Sequence, residues 1–282
     1  MPLTSTRDLV ARATVDGRSI AAFNVITLEH AEAVVDGAAA AGRPAILQIS
    51  ENAVRYHQDR VTPLARAVAE LARGARTGVA LHLDHVTDMT LLRQAADAGF
   101  SSAMYDAGAL PFAENVEATT AAARWAHGEG LWLEAELGYV GGKPDAPASA
   151  HAEGVRTDPE EAVDYVRRTG VDALAVAVGS SHAMTERSAS LDHALIGRLR
   201  QAVPVPLVLH GSSGVPDEEL RRAVRAGMTK INIGTALNVA FTEAVRGSLA
   251  GAPAVTDPRK YLAPAREAVA AAVRDLLLAL DV

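Results

Sequence analysis

Eight short apolar runs, each followed by a longer run with helical periodicity, constrain the fold of this chain more than any other feature. The apolar runs cover residues 20–25, 45–50, 79–84, 101–106, 131–137, 173–178, 207–210 and 230–233. Alternating strands and helices are typical of βα units around a parallel sheet. Eight units predict an α/β protein, a single-domain (β/α)8 TIM barrel over residues 1–282. An open doubly wound sheet is the alternative, but no G-x-G-x-x-G motif follows the first strand.

The helical stretches complete this prediction. We expect helices over residues 29–41, 63–73, 89–98, 113–127, 159–168, 193–201, 217–226 and 237–249. A last amphipathic stretch, 265–280, predicts a C-terminal helical extension. The longest loop, at about 138–155, is rich in Gly, Pro, Ala and His and is predicted to be mobile.

Composition excludes several classes of function. The chain has no cysteine, which rules out disulfides, thiolate nucleophiles and cysteine-ligated metals. Its 27 basic and 34 acidic residues give a net charge of -7, which argues against a nucleic-acid partner. No run reaches the ~18 apolar residues of a membrane span, and the N-terminus lacks a signal-peptide core. We therefore predict a cytoplasmic protein with no membrane partner.

Polar side chains gather at the ends of the predicted strands. On the third strand His82 and Asp84 share one parity, while Leu81 and Leu83 share the other. Since strand side chains alternate between two faces, the polar parity faces the barrel axis. The same end of the other strands carries Asn24, Gln48, Ser50, Asp106 and Glu136. Active sites of such barrels lie at this carboxyl end.

Three histidines fall at or just after strand ends. They are His85, His182 and His210, after the third, sixth and seventh strands. Three imidazoles that leave a fourth position open form a catalytic zinc site. The alternative is three hydrogen-bonded loop histidines. Asp84 adjoins His85 and is placed to move a proton. The residues expected to support the ligands, or to hold the ion in another state of the site, are His82, Asp106 and Glu136.

Two segments are suited to bind an anion. Residues 211–214 follow the seventh strand, and residues 232–235 end the eighth strand and open a helix. Phosphate sites in these barrels commonly use the loops after strands seven and eight, with backbone N–H groups at a helix N-terminus. Each segment read alone could equally be an ordinary turn. The pair at the expected strands predicts a phosphate cradle.

Five ordered motifs resemble those of class II, metal-dependent fructose-bisphosphate and tagatose-bisphosphate aldolases. They are His82-Leu83-Asp84-His85, Glu134-Ala135-Glu136-Leu137-Gly138, Gly179-Ser180-Ser181-His182, His210-Gly211-Ser212-Ser213-Gly214 and Asn232-Ile233-Gly234-Thr235. The likeness spans nearly the whole chain and includes 50–53, 110–112 and 257–259.

The resemblance implies reversible cleavage of a ketose 1,6-bisphosphate, with fructose 1,6-bisphosphate expected, to dihydroxyacetone phosphate and glyceraldehyde 3-phosphate. It implies one zinc ion on the three histidines and proton transfer by Asp84 at the C4 hydroxyl. It further implies a monovalent cation, Na+ or K+, near the phosphate and a homodimer or homotetramer. The residues implied or expected to bind the phosphorylated sugar are Asn24, Ser50, Ala183, Gly211, Ser212, Ser213, Asn232, Ile233, Gly234, Thr235 and Arg259. The resemblance places Arg259 at the distal phosphate, across a subunit interface.

A lysine imine is the other way to stabilise the negative charge of such a reaction. The only lysines are Lys143, Lys230 and Lys260, and none is predicted inward at the carboxyl end of a strand. Lys230 is expected at the start of the eighth strand. The sequence therefore favours the metal-dependent mechanism.

Some positions depart from the family pattern. Pro144 stands where the family usually has a loop glutamate, and Gly234 replaces an aspartate typical of the fructose-bisphosphate enzymes. These departures leave open a tagatose-bisphosphate or other ketose-phosphate aldolase, and a non-catalytic sugar-phosphate binding protein. A metal hydrolase on the same fold is a further alternative, but residues 21–24 offer no metal-ligand pair on the first strand.

Overall fold

A computed structural model of the chain describes residues 3–138, 140 and 155–281. Within these residues eight parallel strands close into a barrel, and each strand pairs with its neighbours in chain order. The strands are β1 (Ile20–Asn24), β2 (Ala45–Ser50), β3 (Val79–Val86), β4 (Ser102–Tyr105), β5 (Trp132–Leu137), β6 (Ala173–Val176), β7 (Leu207–Leu209) and β8 (Met228–Ile233). The predicted TIM barrel is confirmed, and the open sheet is wrong because β1 pairs with β8.

Twelve α-helices surround the strands in the described residues. They are α1 (Thr6–Val15), α2 (Leu28–Ala41), α3 (Glu51–Tyr56), α4 (Val61–Gly74), α5 (Met89–Leu92), α6 (Ala95–Ala98), α7 (Phe112–Gly128), α8 (Pro159–Thr169), α9 (His193–Ala202), α10 (Asp217–Ala226), α11 (Thr235–Gly251) and α12 (Arg259–Ala279). None of them combines the length and apolar character needed to span a bilayer.

The structure differs from the predicted helices in four places. Helices α1 and α3 have no predicted counterpart, and each begins after a serine, Ser5 or Ser50, whose hydroxyl accepts a backbone N–H of the first turn. The stretch 89–98 is two helices, because a tight turn from Leu91 to Gln94 separates α5 from α6. Helix α12 begins at Arg259, six residues before the predicted stretch, and contains Pro264. The predicted mobile loop at 138–155 lies almost wholly outside the described residues.

The two faces of each strand build two apolar layers. Outward side chains such as Phe23, Leu47 and Leu81 pack against the helices in the main core. A smaller cluster inside the barrel includes Ile46 and Trp132. The inward positions nearer the carboxyl ends are polar, so the interior changes from apolar to charged along the barrel axis. This arrangement places the polar groups at one mouth of the barrel.

Helix α12 packs closely across α2. A Cβ added to Gly37 would lie 2.6 Å from the carbonyl oxygen of Ala270 and 2.8 Å from Val273. At the same interface Arg266 donates to Glu32 over 2.8 Å. The C-terminal helix is therefore part of the barrel's outer layer.

Candidate active site

Four potential metal ligands converge at the carboxyl end of the barrel. The imidazole nitrogens of His85, His182 and His210 and a carboxylate oxygen of Glu136 all lie within 4.8 Å of one another. The three ring centroids are 4.9 to 5.8 Å apart. His85 is in β3, while His182 and His210 follow β6 and β7, so three separate strands supply the rings. Nitrogen and carboxylate donors in a half-closed site suit zinc, with a position left for substrate.

Carboxylates orient two of these rings. The Nδ1 atom of His85 lies 3.0 Å from Asp106 Oδ2. The two ring nitrogens of His210 lie 2.8 Å from Glu136 and 2.9 Å from Glu134. Burial alone would lower the pKa of His210, but the hydrogen bonds to Glu134 and Glu136 raise it to about 9. A cation that binds this ring must replace one of its two protons, so metal affinity will rise with pH.

A second charged pair lies beneath the histidines. Lys230 Nζ donates to Glu134 Oε2 over 2.8 Å, and both side chains are fully buried. Burial would raise the pKa of Glu134, but Lys230 and the hydrogen bond from His210 hold that pKa well below its usual range. Strand β8 begins at Met228, so Lys230 lies in mid-strand rather than at the strand start that the sequence predicted. It remains below the mouth, where its amine is engaged by Glu134.

Asp84 stands beside the histidine cluster. It is 2 % exposed, and Gln48 Nε2 donates to its Oδ2 over 3.3 Å. Its Oδ1 has no hydrogen-bond partner among the described residues and lies 3.8 Å from His82 Nε2. Burial would raise the pKa of Asp84, but the nearby His85 and His82 lower it below its ordinary value. Asp84 is therefore a buried carboxylate with one oxygen available to a ligand in the mouth.

His82 lies one layer below Asp84. Its Nδ1 is 2.8 Å from Ser102 Oγ, and the side chain is fully buried. Burial, together with the charge of Lys230, lowers the pKa of His82 to about 3. The ring is therefore neutral at ordinary pH and supports the floor under Asp84 rather than adding charge to it.

The segments after β7 and β8 form a concave surface lined by backbone amides. Ser213 Oγ accepts the N–H groups of Gly234 and Ala236, over 3.3 and 3.1 Å, at the start of α11. Gly211 has φ 68°, and a Cβ there would lie 2.6 Å from the backbone of Ser181. Both amide atoms of Asn232 are buried, and neither has a hydrogen-bond partner in the part of the chain that the structure describes. These features fit an oxyanion ligand at a helix N-terminus.

The mouth that joins these groups has a volume of about 510 Å³. Its lining side chains come from the ends of most of the strands and from the loops that follow them. They include Asn24, Gln48, Ser50, Glu51, Arg55, Asp84, His85, Thr87, Asp106, His182, Ala183, Gly211, Ser213, Asn232, Gly234, Thr235 and Asn238.

Comparisons with known proteins agree with this site. Residues 4–281 match the family described as fructose-bisphosphate aldolase class-II. The chain is 39% identical to a fructose-bisphosphate aldolase of Geobacillus stearothermophilus over 276 residues, which are 97% of this chain and 95% of the relative. It is 37% identical to one of Staphylococcus aureus strain Mu50 over 277 residues, 97% of this chain and 96% of the relative.

A solved structure agrees as well. The crystal structure of the YdjI aldolase from Escherichia coli K12 superposes with a TM-score of 0.84 at 31% identity, covering 99% of this chain and 97% of that one. The chain belongs to the class-II fructose-bisphosphate aldolase family. Zinc dependence is characteristic of this family, and the chain is an aldolase, a carbon–carbon lyase.

Most of the predicted site residues of this aldolase lie at the mouth. Of the expected sugar-phosphate binding residues, those that line it are Asn24, Ser50, Ala183, Gly211, Ser213, Asn232, Gly234 and Thr235. Ser212 and Ile233 lie behind it: the Ser212 hydroxyl donates to Leu209, and Ile233 packs in the outer core. Arg259 does not line this mouth; it is 87% exposed and bonded to Asp257. The roles of these residues stay predictions.

Sequence reasoning missed several residues of the aldolase site. Glu51 and Arg55 were not singled out because α3, the short helix that carries them, was not predicted. Thr87 and Asn238 also line the mouth without a predicted role. Alternation along the fifth strand predicts Glu134 on the same inward face as Glu136, since side chains two apart on a strand share a face, but it assigns Glu134 no role at His210.

Proposed function

We propose that this protein is a zinc-dependent aldolase that reversibly cleaves fructose 1,6-bisphosphate to dihydroxyacetone phosphate and glyceraldehyde 3-phosphate. The observation that carries the proposal is that His85, His182 and His210 converge on one point. Two of them, His85 and His182, line the same mouth as Asp84 and the anion-binding surface. The named relatives favour fructose bisphosphate over the tagatose compound.

The three histidines would hold the zinc ion. A carboxylate oxygen of Glu136 lies close enough to be a fourth ligand, and substrate would take its place on binding. When bound, zinc would polarise the substrate carbonyl and stabilise the negative charge that cleavage leaves behind. Asp106 keeps the His85 ring in place, and Glu134 does the same for His210. Buried carboxylate partners of this kind fix the ring orientation and tautomer of metal ligands.

The backbone of the β7 and β8 loops would bind the C1 phosphate. The N–H groups of Gly234 and Ala236 at the start of α11 converge on the Ser213 hydroxyl oxygen, at the position where phosphate oxygens would accept them, and the Asn232 amide has no partner among the described residues. A phosphate there leaves the sugar carbons to extend across the mouth toward Asp84. We also expect Na+ or K+ near this phosphate.

Asp84 would act on the C4 hydroxyl. In cleavage the hydroxyl proton passes to the carboxylate, the C4–O bond becomes a carbonyl, and the electron pair of the broken C3–C4 bond stays on the dihydroxyacetone phosphate half. C3 then gains a proton from solvent to complete the product, and Asp84 releases its own proton to solvent, so that cleavage is proton-neutral overall. In the synthetic direction Asp84 returns its proton to the aldehyde oxygen. The lowered pKa of Asp84 keeps it ionised and ready to accept.

The test measures triose phosphate release from a panel of fructose and tagatose mono- and bisphosphates. We expect cleavage of fructose 1,6-bisphosphate, loss of that activity on chelation, its return when Zn2+ is added, and no lysine adduct after borohydride treatment.

Asp84→Asn should lower kcat by about 10²- to 10⁴-fold, the usual contribution of a general acid–base. The exposed Asp97→Asn is the matched control. Undiminished cleavage by the metal-free protein would contradict the proposal.

Two further predictions belong with this function. We place the enzyme in the cytoplasm, and we expect a homodimer or homotetramer. Size measurement in solution tests the second of these.

A further inference from the structure

A second cavity lies at the amino ends of the first three strands, opposite the mouth. It has a volume of about 460 Å³ and is bounded by α1, by the residues that precede β1, β2 and β3, and by the segment around the end of α12. We call it the amino-terminal cavity. The charged residues that line it are Arg12, Asp16, Arg18, Arg43 and Asp281. With three arginines and two aspartates, it is a locally basic site on a chain whose net charge is -7.

Two of these arginines share one carboxylate oxygen. Arg18 donates to Asp281 Oδ1 over 2.8 Å, and the guanidinium of Arg43 contacts the same oxygen. Burial lowers the pKa of Arg43, and the charge of Arg18 lowers that pKa further. Each guanidinium has five N–H donors, so a single carboxylate oxygen leaves most of them for other acceptors. The pair therefore has both charge and donors to offer a further anion.

Two buried hydroxyl groups belong to the same cavity. Ser19 Oγ and Thr77 Oγ1 are buried, and neither has a hydrogen-bond partner among the residues that the structure describes. Both residues line the amino-terminal cavity. At the mouth, Asp84 and Asn232 carry buried atoms of the same kind, where we expect substrate to bind. Since a side chain can rotate between staggered positions, either hydroxyl can turn toward a ligand between the arginines.

The rest of the wall is largely apolar. Leu9, Pro44, Leu277 and Leu280 line it. The volume lies within the range of small-molecule sites, about 300–1,000 Å³, and exceeds what a bare inorganic ion fills. The lining therefore suits a ligand that has both an anionic group and a short apolar skeleton.

We propose that the amino-terminal cavity is a second binding site, for a small phosphate monoester whose phosphate lies between Arg18 and Arg43 and whose carbon skeleton packs against the leucines. Arginine suits this task because its planar fork matches phosphate oxygens. The site goes beyond the proposed function. Strands β1 and β2, of five and six residues, separate it from the mouth by roughly 15–20 Å, so its ligand does not contact the reacting atoms.

A purely structural interpretation of the arginines makes a different prediction. The pairs with Asp281 would then only fasten the end of α12 to the segments before β1 and β2, and no ligand would respond to their removal. In a binding site, by contrast, Asp281 competes with the ligand for both guanidiniums. Its replacement should therefore strengthen ligand binding, whereas loss of either arginine should weaken it.

The experiment titrates the zinc-loaded enzyme with propyl phosphate by calorimetry. The mouth is also expected to bind a phosphate group, and its constant comes separately from competitive inhibition of the aldolase reaction. In the wild type we expect two sites per chain, of which inhibition reports one. Inorganic phosphate should bind the second site more weakly because it lacks the skeleton, and propanol should not bind because it lacks the charge.

The variants identify the second site. Arg43→Met should weaken it about 10- to 100-fold, the usual contribution of charge-assisted hydrogen bonds, and leave the inhibition constant unchanged. Arg18→Met, which keeps the contact between Arg43 and Asp281, should act in the same direction. Asp281→Asn should tighten the second site about 3- to 10-fold, since both guanidiniums lose their competing anion.

The matched control is Arg73→Met, which removes an exposed arginine of α4 that is paired with Glu70 and does not line the cavity. It should change neither constant. A single site per chain in the wild type overturns the inference, and so does a second site that both Arg43→Met and Arg18→Met leave unchanged. Thermal unfolding of each variant without ligand confirms that the fold is retained.

Discussion

Three residues around the histidine cluster hold left-handed backbone angles. His85 has φ 51°, Ala183 has φ 59° and Gly211 has φ 68°. A residue with a Cβ loses roughly 1–2 kcal/mol in this region, and such strain concentrates at functional sites. At His85 the pairing of β3 with β4 also shifts register. The strain turns the end of β3 so that consecutive residues, Asp84 and His85, both reach the mouth.

Gly211 offers a direct test at this scale. Gly211→Ala places a Cβ 2.6 Å from the backbone of Ser181 in addition to the left-handed cost. We expect the free energy of unfolding to fall by about 2–4 kcal/mol, since overpacking adds to the backbone strain. Binding of inorganic phosphate at the cradle should weaken as well. Denaturant unfolding and phosphate titration measure the two effects.

Gly42 is the matched control for this change. It has φ 65°, nearly the same angle, but nothing lies within 4 Å of an added Cβ. Gly42→Ala should therefore cost only the backbone term, about 1 kcal/mol, and leave phosphate binding unchanged. Equal losses in the two variants would show that contact with Ser181 is unimportant.

At the scale of the element, charged side chains from different strands contact one another inside the barrel. Lys230 of β8 reaches Glu134 of β5 across the axis, and Glu134 in turn bonds to His210, which follows β7. All three side chains are fully buried. One chain of contacts thereby connects β8 and β5 to the proposed metal site at the end of β7.

Removing one member of the Lys230–Glu134 pair should lower the free energy of unfolding. Lys230→Met leaves the buried Glu134 carboxylate with His210 as its remaining charged partner. Removing one member of a buried ion pair typically costs about 3–5 kcal/mol of unfolding free energy. The double variant Lys230→Met with Glu134→Gln should recover much of that loss, because it leaves no unpaired buried charge. Denaturant unfolding of wild type, both single variants and the double variant gives the coupling energy.

The pH dependence of the same variants has a defined sign. In the wild type the pKa of Glu134 is held low, so the carboxylate adds stability above the ordinary carboxyl pKa and loses that stability as the pH falls. In Lys230→Met this pKa rises, and Glu134 takes up a proton sooner on acidification. The deficit of the variant should therefore shrink toward acid pH. A deficit that is constant with pH would contradict the assignment of the charge to Glu134.

At the scale of the whole molecule, Arg259 lies outside the active-site mouth of its own subunit. It begins α12, is 87% exposed and pairs with Asp257 on the outside of the barrel. The expectation that it binds substrate therefore requires a second subunit. The mouth described above would then be completed only in an oligomer.

Mixed oligomers test this expectation. Asp84→Asn and Arg259→Ala should each have low activity alone. If Arg259 serves the neighbouring site, a co-refolded mixture contains sites with Asp84 from one chain and Arg259 from the other, so part of the wild-type activity returns. If Arg259 serves its own subunit, every mixed site lacks one of the two residues. No recovery in a mixture that demonstrably forms mixed oligomers would rule out the shared site.

Sequence pattern alone determined the barrel and the residues that point into it. Period-two alternation in the third, fifth and eighth strands placed Asp84, Glu136 and Asn232 on the inner face, because strand geometry permits only two faces. Helix α3 escaped this reasoning because it has only six residues. Helix α1 escaped it because its ten residues form no broad apolar stripe; the hydroxyl of Ser5 marks its start, as that of Ser50 does for α3.

Only the tertiary structure decided which of those inward groups meet. That His210 bonds to two glutamates, that Lys230 lies under it, and that Arg55 faces the mouth all depend on barrel closure, which brings β2, β5, β7 and β8 around one axis. These contacts join residues up to 96 positions apart in the chain. Local propensity acts over a few residues, whereas the register and curvature of eight strands set distances between residues far apart in sequence.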